Sequence, residues 1–328
     1  MRSLVRDILA ALFMGLVVPG IVLNIAAVRV AEPETVPTEA ETIPQTEPVS
    51  VALPMLLRSA DGTVIQMDMD GYLVGVVLAE MPITFEEEAL KAQAVVARTY
   101  TQKAYETGGK HGDGSVCTSA SCCQGYVTEA DYLARGGTEA GVERARAAVA
   151  ATSGYVLTYE GALIEATYFS CSGGSTEDAA AVWGMDFPYL QAVSSPGEEN
   201  AAHYRDTVTF TAEQFQQALG VSLAGSPESW FRDVTYTDGG GIETMAIGDT
   251  VYRGTQLRTL LGLRSTAFSV SASEDTVTIT TRGYGHRVGM SQYGADAMAV
   301  MGSGFGEILS HYYPGTTLTK LDSPEAAE

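Results

Sequence analysis

An almost unbroken apolar run from Ile8 to Val28 is the feature that most restricts how this chain can fold. At about 1.5 Å of rise per residue, a helix of this length spans roughly 30 Å, the thickness of a bilayer core. Arg2 and Arg6 precede the run, and cations on a short flank favour a cytoplasmic N-terminus over residues 1–7. The pattern predicts a single-pass membrane protein, with one transmembrane helix over residues 8–28 and the rest of the chain outside the cytoplasm. A cleaved signal peptide is the alternative, but its apolar core is usually only about 7–15 residues long.

Residues 29–50 are rich in Glu, Pro and Thr and have no periodic apolar positions, so they predict a disordered acidic stalk. A disordered tail is expected over residues 319–328. The whole chain contains 40 acidic and 19 basic residues, which gives a formal net charge of −21. This charge argues against nucleic acid as a partner, because a phosphate-binding surface needs clustered Lys and Arg.

Residues 51–318 carry the patterns of a folded domain. An Asp-Gly turn at residues 61–62, between short apolar runs, predicts a hairpin that leads into a helix near Tyr72. Residues 86–102 have apolar side chains three and four positions apart and acidic residues in the first turn, which predict a helix. A further helix is expected over residues 138–152.

Strands, helices and glycine-rich loops alternate without a βαβ repeat, so the predicted class is α+β, with helices and antiparallel strands mixed in one core domain. Residues 198–262 differ from the flanking segments in their sequence pattern and are expected to form a smaller inserted subdomain. The catalytic core is then expected over residues 51–197 and 263–318, preceded by the transmembrane helix.

A single carboxylate, Glu80, ends the apolar stretch YLVGVVLAE. Pro82 stops the element there, because the residue before a proline disfavours helix. A carboxyl group among apolar side chains loses hydration when it ionises, which favours the protonated form that a general acid needs. A glutamate at an exposed helix end has no such role, and the residues alone leave both interpretations open.

The segment HGDGSVCTSASCCQ places a histidine and three cysteines in one loop, His111, Cys117, Cys122 and Cys123. One imidazole and three thiolates form a tetrahedral ligand set for Zn²⁺, although the spacing is not that of a zinc finger. Outside the cytoplasm a disulfide is the alternative. A bond from Cys117 to Cys122 or Cys123 is feasible, whereas a bond between the two adjacent cysteines would be strained.

Three long blocks occur in order along the chain: YLVGVVLAEMPITFEEEALKAQAVVARTYT, TYFSCSGGSTEDAAAVWG and GYGHRVGMSQYGA. Together they resemble the stage II sporulation protein D family, whose other members include amidase-enhancer proteins. The resemblance covers roughly residues 51–318. It implies a peptidoglycan lytic transglycosylase of sporulation and engulfment. Such an enzyme cuts the bonds between N-acetylmuramic acid and N-acetylglucosamine in glycan strands that have been stripped of stem peptides.

The family's catalytic glutamate lies in the AEMP motif, which places it on Glu80. In the implied reaction one carboxyl group protonates the glycosidic oxygen. The same carboxylate then takes the proton of the sugar's own C6 hydroxyl, which leaves a 1,6-anhydro end. A glycoside hydrolase usually needs a second carboxylate roughly 5–9 Å away. The only nearby candidates in the motif are residues 86–88.

Three further stretches supply candidate substrate-binding residues. Lys91 and Arg98 fall on one face of the predicted helix, and the resemblance implies that they line the groove. A polar, glycine-rich turn after a strand offers donors to sugar hydroxyls, with Trp183 as a stacking surface. In the last block the family usually has glycine where this chain has Arg287, which narrows the loop or adds a cation to the groove. The candidates in these two later stretches are Ser170, Ser172, Ser175, His286, Ser291, Gln292 and Tyr293.

The resemblance also implies that the His/Cys loop holds zinc near the active site, with Cys122 in place of the histidine that some relatives have. The metal would hold the loop rather than activate water, because transglycosylation uses no attacking water. The implied partners are an amidase of the stage II sporulation protein P type, which strips the strands, and a polytopic membrane protein of the stage II sporulation protein M type.

Three other functions fit parts of the pattern. The first is a non-catalytic wall-binding module that stimulates a separate amidase. The second is a muramidase-type hydrolase with a second carboxylate beside Glu80. The third is a zinc hydrolase centred on the cysteine loop. A zinc ion closed by four protein ligands has no open position for water, which argues against the third.

Overall fold

The computed structural model describes residues 53–321, which belong to one compact unit. Within that range no helix is both long and apolar enough to span a bilayer. The predicted transmembrane helix over residues 8–28 and the predicted stalk over residues 29–50 lie outside the described residues.

The helices, in chain order, are α1 (Met69–Glu80), α2 (Glu87–Thr107), α3 (Glu129–Ala134), α4 (Glu139–Ala151), α5 (Ala179–Trp183), α6 (Ala212–Leu219), α7 (Gly254–Leu260), α8 (Gln292–Val300) and α9 (Phe305–Tyr312). Short 3-10 helices cover Gly109–His111 and Pro227–Ser229. The strands are β1 (Pro54–Arg58), β2 (Val64–Asp68), β3 (Ser115–Cys117), β4 (Tyr155–Tyr159), β5 (Ala162–Leu163), β6 (Tyr168–Phe169), β7 (Arg205–Thr211), β8 (Phe231–Tyr236), β9 (Ile242–Ile247), β10 (Thr250–Arg253), β11 (Phe268–Ala272), β12 (Thr276–Arg282), β13 (Met290–Ser291) and β14 (Thr317–Lys320).

The two helices α1 and α2 form the centre of the main hydrophobic cluster. Asp68 caps α1 by accepting a hydrogen bond from the Gly71 N–H at 2.9 Å. Residues 72–78 of α1 are all buried, because a helix that is apolar on every side has to be covered by other elements. The helix predicted over residues 86–102 is confirmed as α2, which continues to Thr107 and ends at a left-handed residue, Gly108.

Most strand pairs are antiparallel, and helices and strands are mixed along the chain, which confirms the α+β class. Strands β2, β1 and β3 form one small sheet, and β14, β4 and β5 form another. The parallel pair β6–β13 aligns Met290 with Tyr168 and Ser291 with Phe169. This pair therefore brings the glycine-rich motif of the third block against the serine-rich turn of the second.

A second hydrophobic cluster lies within residues 208–279. It fills the space among the sheet β10–β9–β8, the sheet β11–β12–β7 and the helices α6 and α7, with Phe215 and Trp230 stacked at 5.9 Å. Strands β11 and β12 belong to this cluster, although the sequence places them in the core segment 263–318. They belong to it because side chains alternate between the two faces of a strand, and the alternation in β12 turns Val277 and Ile279 into the cluster. The inserted subdomain with boundaries at residues 198 and 262 stays a prediction.

Candidate functional site

Residues from all three sequence blocks line one cleft of about 400 Å³. It lies where the C-terminal end of α1, the His/Cys loop and the β6–β13 pair meet. Its main lining residues are Glu80, Tyr100, Lys110, Ser121, Cys122, Cys123, Gln124, Thr167, Tyr168, Phe169, Ser170, Trp183, Tyr284, His286 and Gln292.

Glu80 is the last residue of α1 and is half-buried in this cleft. Its Oε1 accepts a short hydrogen bond from the Gly125 N–H. A Cβ at position 125 would lie 2.9 Å from that oxygen, so a residue larger than glycine here displaces the carboxylate. In the described chain, residues 53–321, Glu80 is the only carboxylate that lines the cleft.

A half-buried tyrosine that the sequence did not single out, Tyr168, also interacts with this carboxylate. Its hydroxyl lies 3.3 Å from Gln124 Oε1 and hydrogen-bonds with Glu80. Burial raises the pKa of Tyr168 well above its usual value, and the charge of Glu80 adds to the shift. The Tyr168 hydroxyl therefore stays protonated. Its single O–H can turn from Gln124 towards Glu80 and donate to the ionised carboxylate.

Gln124 is fixed in turn by a second set of contacts. Its amide nitrogen donates to Thr101 Oγ1 at 2.9 Å and to Tyr72 Oη at 3.3 Å, both on the central helices. The side chain is buried, so the orientation of its amide is set by these two acceptors. Gln124 consequently holds its carbonyl oxygen towards Tyr168.

His286 also lines the cleft, between two aromatic rings. Its ring centroid lies 5.2 Å from that of Trp183 and 5.6 Å from that of Phe169. Burial, with a smaller effect of the Arg258 charge, lowers the pKa of His286 to about 4. Its Nδ1 accepts a hydrogen bond from the Val288 N–H at 3.1 Å. The imidazole is therefore neutral at neutral pH and shapes the wall.

The predicted serines divide into one that lines the cleft and three that do not. Ser170 lines it, together with Gln292 from the third block. The Ser172 hydroxyl is buried and donates to Glu198 at 2.8 Å. The Ser175 hydroxyl donates to the carbonyls of Thr176 and Val193. These two serines and Ser291, whose hydroxyl caps α8, are therefore engaged inside the protein.

Neither cation predicted on α2 lines the cleft. The Arg98 guanidinium is fully buried and donates to Asp70 at 2.9 Å and to backbone carbonyls that include that of Thr152. Lys91 pairs with Glu87 at 2.7 Å and with Glu88 at 2.8 Å. The structure thus places neither side chain in the cleft, because helical spacing gives a shared face but not which neighbours cover it, and substrate binding by Arg98 or Lys91 stays a prediction.

Tyr293 and Arg287 also lie away from the cleft. The Tyr293 ring packs edge-on against Phe85 at 4.9 Å. The Arg287 guanidinium is 2% exposed and donates to Glu177, at 2.9 Å, and to the carbonyls of Ser172, Ser175 and Gly239. Arg287 was expected to add a cation to the groove, but its guanidinium is buried and holds these neighbouring segments together. Its φ of 66° is in the left-handed region, which explains why glycine suits this position.

The His/Cys loop places four ligand atoms within 4.8 Å of one another, on His111, Cys117, Cys122 and Cys123. His111 Nε2 lies 3.5 Å from Cys123 Sγ and 3.9 Å from Cys122 Sγ, and these two sulfurs are 4.0 Å apart. A tetrahedral ion with bonds of about 2.3 Å holds its ligand atoms roughly 3.8 Å apart. The set fits a tetrahedral metal, and the cysteines are free thiols.

The thiols of this loop are electrostatically linked. Burial raises the pKa of Cys117, but hydrogen bonds from Ser119, His111 and the other thiols outweigh burial and lower it to about 6. The hydrogen bond with Cys117 raises the pKa of Cys122 to about 11. The thiols of the cluster therefore lose a first proton easily, and the loss of the next proton is disfavoured. A bound cation would favour loss of the remaining protons as well.

Comparison with known proteins gives a consistent result. A family model described as "Stage II sporulation protein" matches residues 58–159, which include Glu80 and the His/Cys loop. Stage II sporulation protein D of Bacillus subtilis (strain 168) is 40% identical over 289 residues, which cover 87% of this chain and 82% of that protein. Its counterpart in Bacillus amyloliquefaciens is 38% identical over 87% of this chain and 83% of its own length.

A protein of Bacillus subtilis named "Amidase enhancer" is also similar. It is 30% identical over 75% of this chain, but the match covers only 40% of that protein. The chain is therefore similar to two kinds of protein that carry different functional names.

Proposed function

Because the chain belongs to the stage II sporulation protein D family, we propose that it is a lytic transglycosylase that cuts peptide-stripped glycan strands of peptidoglycan. Glu80 is the acid and base of the proposed reaction. The observation that carries the proposal is that Glu80 is the one carboxylate lining the cleft of the described chain.

A single carboxylate matches the chemistry of transglycosylation. A hydrolase that cuts the same bond usually needs two carboxyl groups, roughly 5–9.5 Å apart, one of which activates water or attacks the sugar. Glu87 and Glu88 are paired with Lys91 outside the cleft. Glu165 lines a neighbouring cavity and is paired with Lys103 at 2.7 Å. None of these three shares the cleft with Glu80.

In the proposed reaction, protonated Glu80 gives its proton to the glycosidic oxygen as the bond to C1 breaks. The carboxylate left behind accepts hydrogen bonds from the Gly125 N–H and the Tyr168 hydroxyl. The Gly125 N–H is already in place, and only the O–H of Tyr168 has to turn from Gln124 towards the ionised carboxylate. Glu80 then removes the proton of the C6 hydroxyl, whose oxygen bonds to C1 and closes the 1,6-anhydro ring. Glu80 ends the cycle protonated.

The walls of the cleft suit a sugar chain. Trp183 and Tyr284, each 38% exposed, offer aromatic faces, and Ser170 and Gln292 offer polar groups. Apolar sugar faces stack on such rings while their hydroxyls bond to the polar side chains. Lys110 adds a cation and donates to the Cys122 carbonyl, which ties it to the metal loop.

We also propose zinc as a structural ion held by His111, Cys117, Cys122 and Cys123. When bound, it supplies a rigid crosslink for the loop. The sequence of the loop explains why this matters, because Gly125, which bonds Glu80, follows Cys123 by two residues. A chelator is expected to lower the melting temperature and the activity together, with zinc restoring both. Equal stability with and without the chelator, and loss of stability with a reductant, would indicate a disulfide.

The cellular setting is part of the same proposal. The predicted anchor over residues 8–28 would hold the enzyme on the outer side of the membrane during sporulation. An amidase would prepare its substrate, and a polytopic membrane protein would retain it in the engulfment complex.

A non-catalytic enhancer of a separate amidase is the second candidate, favoured by the similarity to the protein named "Amidase enhancer". The test compares the wild-type full chain, Glu80→Gln and the control Glu165→Gln on peptide-free glycan strands. We expect the wild type and the control to release soluble fragments and Glu80→Gln to release none. Binding without cleavage by all three would favour the enhancer.

A further inference from the structure

Two arginines, Arg205 and Arg282, stand directly opposite each other on the antiparallel pair β7–β12. Both are exposed, and neither has an ion pair with any residue between 53 and 321. Directly opposed residues have Cβ atoms only about 4.5–5.5 Å apart, and like charges in such a pair destabilise a sheet. A neighbouring arginine, the half-buried Arg264, is by contrast paired with Asp206 at 2.7 Å. The unpaired couple is therefore a cost to stability.

The two guanidinium groups line a cavity of about 280 Å³. Tyr236, from strand β8, lines the same cavity and is 63% exposed. Ser269 and Thr280 add hydroxyl groups to its wall. Two cations, one aromatic ring and two hydroxyls are a suitable set for an anionic sugar, because guanidinium groups pair with carboxylates and rings stack on sugar faces.

The sheet face that continues from this cavity carries only small hydroxyl side chains near the arginines. The hydroxyls of Thr207 and Thr280 lie 3.2 Å apart across β7 and β12, and those of Thr209 and Thr278 lie 3.0 Å apart. The cross-strand pairs hold the threonines in a regular row. The row leaves acceptors facing solvent, so a chain of sugars could lie along it.

This face adjoins the cleft. Tyr284 lines the cleft and follows Arg282 by two residues, so their Cα atoms are at most about 7 Å apart. Gly283 between them packs so closely on Ser172 that a Cβ would lie 2.5 Å from its carbonyl oxygen. The link is therefore fixed, and a polymer leaving the cleft past Tyr284 would meet the arginine pair.

We propose that Arg205 and Arg282 form a second binding site for the substrate strand, which recognises the free carboxylate of a peptide-stripped N-acetylmuramic acid. The inference rests on the proposed function. Removal of the stem peptide leaves a lactyl carboxylate on each such sugar, whereas in an intact strand this carboxyl is part of an amide. The pair thus favours stripped strands over intact ones, at a site that takes no part in bond breaking.

Binding is measured on the full chain carrying Glu80→Gln, with peptide-free glycan strands and with neutral chitin oligomers of the same length. We expect the stripped strands to bind more tightly, with an affinity that falls as salt rises. Adding Arg205→Gln and Arg282→Gln should weaken their binding about tenfold and leave chitin binding unchanged. The control Arg232→Gln, an exposed arginine paired with Asp249, should change neither.

Two further readouts separate this role from a structural one. The single variants should melt no lower than the parent protein, because each removes a like-charge contact. With Glu80 intact, the double variant should raise KM for stripped strands without changing kcat. Unchanged affinity of the double variant for stripped strands would overturn the site. An arginine-dependent affinity for a phosphodiester wall polymer, with none for the stripped strand, would overturn the carboxylate assignment.

The two proposals can fail separately. If the wild type does not cleave stripped strands but binds them in an arginine-dependent way, the lytic activity is refuted and the second site stands.

Discussion

Replacing Gly125 by alanine is the sharpest test of how the cleft holds its carboxylate. The new Cβ would lie 2.9 Å from Glu80 Oε1 and 3.5 Å from the Ala79 Cβ. An ordinary contact begins near 3.4 Å, so the carboxylate has to move by about 0.5 Å away from the Gly125 N–H. This N–H donates to the carboxylate, and a hydrogen bond to a charged group contributes about 1.5–3 kcal/mol.

Loss of that contribution in the transition state of the proposed reaction should lower kcat by about ten- to a hundredfold. The assay is the initial rate of soluble fragment release from peptide-free strands, at saturating substrate. Gly306→Ala is the matched control, because a Cβ at this exposed helical position meets nothing within 4 Å. Both variants should melt close to the wild type. A Gly125→Ala enzyme with the wild-type kcat would refute the idea that this N–H holds Glu80.

Three other changes test the surroundings of the site. Tyr168→Phe removes the hydroxyl that interacts with Glu80 and should lower kcat about tenfold, as measured by the same assay. Arg287→Met leaves buried Glu177 without its cation and should cost about 3–5 kcal/mol in a denaturant titration, with a smaller loss in Arg287→Met/Glu177→Gln. Burial lowers the pKa of His286 to about 4, below its unfolded value near 6.5, so its contribution to stability is complete above pH 6.5 and is lost as pH falls towards 4. His286→Gln should therefore flatten the decline in melting temperature over this range.

Local signals in the sequence predicted the parts of the site that depend on one element. The apolar run before Glu80 and the proline after it predict a helix that ends at this residue, and α1 does end there. The acidic start and the apolar spacing of residues 86–102 likewise predict α2. Gly302 likewise marks a boundary, since it adopts a φ of 97° between the helices α8 and α9.

Contacts between distant segments could not be predicted in this way. The hydroxyl of Ser172 donates a hydrogen bond to Glu198, 26 residues further along the chain. This hydroxyl, which the sequence predicted to bind sugar, is therefore already used inside the protein. Tyr168 resembles any aromatic residue in a strand until the fold brings its hydroxyl to Glu80. The pairing of Arg205 with Arg282 depends on strand register between residues 77 positions apart, which no local pattern encodes.

In the proposed reaction Glu80 cuts the glycan strand without water. The most direct test is to digest peptide-free strands with the full chain in water enriched in heavy oxygen, and to weigh the new ends by mass spectrometry. We expect ends that are lighter than a reducing sugar by one water and carry no heavy oxygen, and we expect none of them with Glu80→Gln. Reducing ends that carry one heavy oxygen would contradict it and identify the protein as a hydrolase.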